Sequence, residues 1–445
     1  MKWETESVSR ALGVSGPQRL RFTGVATDTR SLKGGELFVA LKGERFDAHD
    51  FLATAKSAGA AAAVVRRGTP RVDGLPVFEV SDTLVALGQL GRARRRALPQ
   101  AAPVVAVTGS SGKTSTKEML RATFGVLYRV HATSGNLNNL VGVPLTLLAA
   151  PADTEAVVVE AGASIPGEIA RLRDIIEPTI VVITNVGYAH VEGFGSLEAV
   201  LHEKVSLADG VPVAVVGTEP AALAEAARHR TRTVTAGIAA SAEVRPDSVD
   251  LDDQGRPRIT WQGATVTVPV VGRHQAGNAM LAVAAAREAG VDPRQALAAL
   301  ASVSLPHGRG EIRTIGGLTV IDDTYNANPD SLASAVDLAA WLARRGGRPL
   351  AIIVGSMLEL GPESDKLHAA AAADIVGREP ALVGAVGAFV AAFAPYRDRL
   401  GARLLAAPDA ATLGPALKAA LTGSEVVLLK ASRGVALERV LPHLI

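Results

Sequence analysis

From residue 104 onward the chain alternates short runs of four or five apolar residues with stretches long enough for a helix, and it does so twice. Runs of that length, rich in Val and Ile, suit strands buried on both faces of a parallel sheet, with the intervening helices as crossovers. The first series predicts strands at residues 104–107, 156–159, 179–183 and 213–216. The second predicts strands at 318–321, 350–354, 382–386 and 426–429, with helices starting near Pro329, Glu363, Ala388 and Asp409. Residues 259–268 alternate apolar and polar instead, which predicts an antiparallel hairpin attached to the first sheet, and helices at 278–289 and 293–301 close that part. The first hundred residues mix an early helix, strands at 35–41, 62–66 and 77–80 and a helix at 50–58. They end at Arg92-Ala93-Arg94-Arg95-Arg96, where cations complement a helix C-terminus, and at a proline-bounded linker, 99–103. The expectation is an α/β chain of three domains. Residues 1–100 form a small α/β domain, 101–310 a mostly parallel sheet and 311–445 a second doubly wound, Rossmann-like sheet, reached through a glycine-rich hinge at 305–310.

A length of 445 residues supports three cores. With 46 basic and 44 acidic residues the charge is too balanced for a nucleic-acid or anionic-membrane surface. The absence of cysteine excludes disulfides, thiolate metal sites and cysteine nucleophiles. The longest uncharged apolar run, 381–394, is shorter than the ~20 residues of a spanning helix, and Gly384 and Gly387 interrupt it. The N-terminal residues carry acids and lack the apolar core of a signal peptide, so a cytoplasmic protein acting on small molecules is expected.

The sharpest local signal is Val104-Val105-Ala106-Val107-Thr108-Gly109-Ser110-Ser111-Gly112-Lys113-Thr114-Ser115, an apolar strand entering a glycine loop that opens a helix. Backbone N–H groups of such a loop cradle phosphate, Lys113 neutralises β- and γ-phosphates, and the Thr114 hydroxyl holds Mg²⁺, so the segment predicts ATP binding. Only the short Gly-x-x-Gly-Lys-Thr form is present, because Val107 stands where the longer pattern has glycine. Glu160 and His190 follow two other apolar runs of the same series. Carboxyl ends of neighbouring parallel strands converge on one edge, so both become candidate Mg²⁺ ligands beside the loop.

These segments, with Gly135-Asn136-Leu137-Asn138-Asn139, Thr184-Asn185-Val186-Gly187-Tyr188-Ala189-His190 and Lys204, resemble the Mur ligases, ATP-dependent amide ligases of peptidoglycan synthesis. The resemblance implies that Lys204 is carbamylated by CO₂ and that Asn138 and Asn139 face substrate. It also implies two Mg²⁺ ions, held among Thr114, Glu160, His190 and Lys204. Thr27-Asp28-Thr29-Arg30 is similar to the family's uridine-diphosphate-binding segment. Arg309 matches the family arginine at the nucleotide, and Asn278, in Gly272-Arg273-His274-Gln275-Ala276-Gly277-Asn278, matches an asparagine near adenine. Asp322-Asp323-Thr324-Tyr325-Asn326-Ala327-Asn328-Pro329 is similar to the members that add a dipeptide. That places Asp323 at the nucleotide and Asn326 and Asn328 at the acceptor. Met357-Leu358-Glu359-Leu360-Gly361, His368 and Lys430-Ala431-Ser432-Arg433 are familiar from the same members. Leu140, Ser164 and Ile165 depart from the family pattern.

The implied reaction joins D-alanyl-D-alanine to UDP-N-acetylmuramoyl-tripeptide through an acyl phosphate, with the hinge closing to exclude water and a monomer as the expected state. Two alternatives stay open on the residues alone: another amide ligase of the superfamily, which shares the loop and lysine but not the Asn326-Ala327-Asn328 segment, and a P-loop ATPase that needs no acceptor amine.

Overall fold

The computed structural model describes residues 3–444. Four short strands, β1 (Val25–Ala26), β2 (Leu37–Val39), β3 (Ala62–Arg66) and β4 (Val77–Val80), pair in chain order and all in parallel. Helix α1 (Thr83–Arg96) follows, started by Asp82, whose carboxylate accepts from the N–H groups of Leu84 and Val85. The basic end of α1 does more than complement its own dipole. Arg95 donates to the carbonyls of Ile176 and Glu177, which close the helix Glu168–Ile176, while Arg92 and Arg96 pair with the Glu177 carboxylate.

Strands β5 (Val104–Thr108), β6 (Val130–Ala132), β7 (Ala156–Glu160), β8 (Ile180–Ile183), β9 (Val213–Val216) and β10 (Arg232–Thr235) form a six-stranded sheet in the order β10-β9-β8-β5-β7-β6. Every residue of β5, β7, β8 and β9 is buried, as uninterrupted apolar runs require. The edges β6 and β10 carry polar residues at partly exposed positions, so no apolar run marks them. Helices α2 (Lys113–Phe124) and α3 (Leu197–Val205) belong to this series.

The alternating segment departs from expectation. It forms a separate antiparallel sheet of β11 (Ser248–Leu251), β12 (Pro257–Trp261) and β13 (Ala264–Thr267), not a hairpin attached to the larger sheet. Val249, Ile259, Trp261 and Val266 are buried, and the sheet packs on helix α4 (His274–Glu288). Face-on packing satisfies that apolar face without pairing to a foreign strand edge.

The last sheet runs β14-β15-β19-β16-β17-β18, from β14 (Glu311–Ile315), β15 (Leu318–Asp323), β16 (Leu350–Val354), β17 (Leu382–Val386), β18 (Leu404–Ala407) and β19 (Val426–Lys430). Only β14 is antiparallel to its neighbour. Alternate residues feed two cores: Ile321, Ile352 and Leu428 join Leu332 and Val336 of α5 (Pro329–Gly346) and Ile375 of α6 (Ser364–Gly377), while Val320, Ile353 and Leu429 join Leu413 and Leu417. Helices on both faces make the sheet doubly wound.

By packing, the chain divides into two units. One comprises the residues up to Ala106 with Tyr128–Ala163 and Gly167–Ile180, and the other Val107–Leu127, Ser164–Pro166 and the residues from Val181. Among the described residues no helix is long and apolar enough to cross a membrane.

Candidate functional site

In the second unit the loop after β5 is shaped by two glycines in conformations that L side chains rarely adopt, Gly109 at φ 149° and Gly112 at φ 80°. A Cβ on Gly109 would stand 1.8 Å from the Thr184 hydroxyl, and one on Gly112 2.8 Å from the Asn278 amide oxygen. Val107 lies wholly buried inside β5, so the loop begins only at Gly109 and the longer glycine pattern is not needed.

The segment after β8 pins this loop. Ser110 N–H donates to the Asn185 carbonyl at 3.0 Å and Ser111 N–H to Asn185 Oδ1 at 2.9 Å. Gly187 N–H donates to Ser110 Oγ at 2.8 Å, and Thr184 Oγ1 to the Ser111 carbonyl at 2.5 Å. Thr184, Asn185 and Gly187 therefore hold the loop's shape from behind. The α2 helix opens at Lys113, whose Nζ donates to the Gly109 carbonyl at 2.7 Å, and Thr108, Thr114 and Ser115 are buried beside it.

Lys204 is 1% exposed on α3. Burial is the main reason its amine is pushed down to about 7; the cation of Lys113 adds to the shift and Glu203 opposes it. An ordinary surface lysine is thereby excluded. His190, at φ 58°, precedes the short helix Val191–Phe194, and its Nδ1 lies 2.5 Å from Glu359 Oε2. The contact does not meet hydrogen-bond angles, and it is an ion pair only when the imidazole is protonated. The histidine in turn holds the Glu359 carboxyl below the usual range.

Of the nucleotide candidates, Asn278 borders the same loop, while Arg309 and Asp323 engage Tyr325 and Lys430. Asn278 donates to Gln275 Oε1 at 2.9 Å and borders Gly112. Arg309 stacks 3.8 Å over the Tyr325 ring, with its Nε buried and lacking a hydrogen-bond partner. Asp323 accepts from Lys430 Nζ at 2.5 Å, and the same ammonium donates to the Asn326 carbonyl at 2.9 Å. Asn328 has two tasks: its Oδ1 caps α5 by accepting from Ser331 N–H, and its Nδ2 donates to Ser111 Oγ of the loop at 2.8 Å. The neighbouring Asn326 is exposed, and its side-chain Oδ1 accepts from Ala327 N–H.

In the first unit, Glu160 ends β7 at 2% exposure and accepts from Asn138 Nδ2 at 2.9 Å. Asn139 Oδ1 accepts from the N–H groups of Val141 and Gly142, which start the helix Gly142–Leu148. Thr27 and Thr29 flank Asp28, which caps the short helix Thr29–Ser31 and pairs with Arg30 at 2.6 Å; the Arg30 hydrogen bonds hold the Asp28 carboxyl down at about 2. Leu140, where the family pattern has an acid, is buried.

The geometry adds His274 and Gln275. Burial pushes the His274 imidazole down, with Asp323 opposing and Lys430 reinforcing that shift, and Gln275 reaches Ser115 Oγ at 3.5 Å. Both stand in the segment that supplies Asn278, which was the signal available in the sequence.

Three family models cover most of the chain: the Mur ligase family, catalytic domain, over residues 21–95, the Mur ligase middle domain over 107–286, and the Mur ligase, glutamate ligase domain, over 308–433. The UDP-N-acetylmuramoyl-tripeptide–D-alanyl-D-alanine ligase of Bacillus subtilis is 37% identical over 95% of this chain and 93% of its own. Among solved structures, MurF from Acinetobacter baumannii is 30% identical with a TM-score of 0.89, covering 100% of this chain and 99% of that one. MurF ligase from Thermotoga maritima in complex with ADP is 28% identical with a TM-score of 0.81, covering 95% of this chain and 96% of that one. With glycine loop, buried lysine and doubly wound C-terminal sheet all in place, the chain belongs to the Mur ligase family.

Proposed function

We infer that this chain is an ATP-dependent peptide ligase that joins D-alanyl-D-alanine to UDP-N-acetylmuramoyl-tripeptide in peptidoglycan synthesis, forming ADP and phosphate. The observation that carries this is the likeness to the Bacillus subtilis enzyme of that name across 95% of the chain. Residues 1–100 would take the uridine nucleotide through Thr27, Asp28, Thr29 and Arg30. Residues 101–310 would take ATP, and 311–445 the acceptor and part of the nucleotide. We further propose that it acts in the cytoplasm as a monomer.

A carboxylate is a poor electrophile because its charge repels nucleophiles. Transfer of the γ-phosphoryl group to the tripeptide carboxylate supplies a leaving group, and the D-alanyl-D-alanine amine then displaces phosphate. Thr108 to Ser115 would cradle the phosphates, with Lys113 turning from the Gly109 carbonyl to the anion. Each preorganised cationic or N–H contact of this kind contributes roughly 3–4 kcal/mol to barrier lowering. Asn278, Arg309 and Asp323 would hold the nucleoside end.

Among the described residues, three or more His, Asp or Glu side chains nowhere gather as a metal site. The candidate donors are therefore individual: the Thr114 hydroxyl, the Glu160 carboxylate and His190 are each of a kind that would suit one of the two Mg²⁺ ions the family resemblance implies. Bound Mg²⁺ supplies charge neutralisation for the phosphates. Carbamylation would convert Lys204 into a further carboxylate, and an amine pushed down to about 7 has the neutral form that reacts with CO₂. Asn138 donates to Glu160 and Asn139 caps the following helix start, and both would face the substrate. The exposed Asn326 would meet the dipeptide, and Asn328 would join acceptor loop to phosphate loop.

The test is product mass. Incubated with UDP-muramoyl-tripeptide, ATP, Mg²⁺ and a mixture of D-alanyl-D-alanine and free diamino acids, the enzyme should yield only the pentapeptide. In a parallel incubation with the UDP-muramoyl-dipeptide precursor, addition of a diamino acid would overturn the reading.

A further inference from the structure

His190 and Glu359 share an uncommon property: both are non-glycine residues in the left-handed region, at φ 58° and 63°. Such a residue is strained and persists only where its surroundings over-determine it. Here the two strained residues meet each other. His190 Nδ1 lies 2.5 Å from Glu359 Oε2, and Glu192 N–H donates to the Glu359 carbonyl at 3.2 Å. Backbone and side chain of Glu359 thus both engage the segment that carries His190.

The loop presenting Glu359 is braced on both sides by buried polar groups. Met357 N–H donates to His368 Nε2 at 2.9 Å, which requires the other ring nitrogen to carry the hydrogen and donate to the Ser364 carbonyl at 2.7 Å. Leu358 N–H donates to Ser432 Oγ at 2.9 Å, and that hydroxyl donates to the Ala327 carbonyl at 3.2 Å. His368 and Ser432 are 1% and 4% exposed. Gly361 packs so closely on Glu192 that a Cβ there would lie 3.1 Å from its Cα. A side chain that is itself 55% exposed is thereby aimed at one imidazole by a rigid, buried frame.

We propose that Glu359 is the positioning residue for His190. Its carboxylate keeps the hydrogen on Nδ1 and leaves the Nε2 lone pair for a metal ion, so the histidine becomes a competent ligand only while the loop 357–361 is docked on the helix Val191–Phe194. A carboxylate behind a metal-binding imidazole fixes tautomer and ring orientation, and its loss commonly lowers metal affinity 10–100-fold. The frame also reaches the acceptor loop through Ala327, which ties the state of His190 to the segment carrying Asn326 and Asn328. The proposal rests on the metal role given to His190 above.

The test uses the full chain with Mn²⁺ as the probe, counted and titrated by electron paramagnetic resonance in the presence of ADP, and ring nitrogen-15 NMR to read tautomers. Glu359→Gln retains the backbone conformation without the charge; Glu359→Gly removes the carboxylate while relieving the strain, so it folds. Both should weaken, by about 10–100-fold, the Mn²⁺ site that His190→Ala abolishes, and should lose the Nδ1–H preference at His190, with ADP affinity unchanged. If both variants keep wild-type Mn²⁺ affinity and the wild-type tautomer, Glu359 does not position His190. If wild type and His190→Ala bind Mn²⁺ alike, His190 is no ligand and the metal assignment falls along with this inference, a distinct result.

Discussion

Lys204 concentrates the chemistry of the site in one side chain. Burial holds its amine at about 7, against an ordinary value of 10.5. Between those values the unfolded chain binds a proton that the folded chain lacks, so stability of the unmodified enzyme rises with pH across that window; below pH 7 the burial penalty is fully present. Carbamylation follows the same sign, because only the neutral amine attacks CO₂. With ¹³C-bicarbonate, a carbamate resonance should be strong at pH 8 and fade as pH falls below about 7. Lys204→Met should lack the resonance, turn over at least ~10²-fold more slowly, and melt no lower than wild type at pH 6, since it removes a buried cation. A variant with normal turnover would return Lys204 to a structural role.

Lys113 makes a complementary prediction. Its Nζ rests on a loop carbonyl and not in the apolar core. Lys113→Ala should therefore leave the melting temperature within ~1–2 °C of wild type while slowing turnover ~10²–10³-fold. Circular dichroism melts beside phosphate-release rates check both halves. At this scale the glycine loop was legible from spacing alone, because strand, loop and helix are contiguous. The burial of Lys204 was not: Leu197–Val205 gives no apolar stripe that excludes a surface lysine, and only the family resemblance singled it out. The Glu359, His368 and Ser432 frame joins residues far apart in the chain, which local pattern cannot reveal.

Among the elements, strands buried on both faces were readable to within a residue or two: Val213–Val216, Leu350–Val354 and Leu382–Val386 stand where the apolar runs put them, while Val104–Thr108, Ala156–Glu160 and Ile180–Ile183 differ by one residue at an end. The edges β6, β10, β14 and β18 escaped notice, because a strand with one open side keeps polar or partly exposed residues and shows no continuous run. The start of α5 carries a prediction of its own. Asn328 caps that helix and bonds Ser111, whereas Asn326 is exposed, although the two looked equivalent in sequence. Asn328→Ala should lower stability by about 1–2 kcal/mol and raise KM for ATP. Asn326→Ala should leave the melt unchanged and raise KM for D-alanyl-D-alanine. Chemical denaturation and the two KM values separate the roles; a stability loss at Asn326 equal to that at Asn328 would contradict them.

For the whole molecule, two α/β series joined by a glycine-rich segment were expected, and two six-stranded sheets with that connection are present. The expected attachment of the 259–268 hairpin failed, because alternation signals a face to be covered and does not say which surface covers it. The activity depends on coupling phosphoryl transfer to amide formation, and oxygen tracing measures that coupling directly. With UDP-muramoyl-tripeptide labelled by ¹⁸O in its terminal carboxylate, plus ATP, Mg²⁺ and D-alanyl-D-alanine, each turnover should place one ¹⁸O in the released phosphate and form one pentapeptide. Pentapeptide formed with unlabelled phosphate, or phosphate released at the same rate without the dipeptide, would contradict a ligase acting through an acyl phosphate.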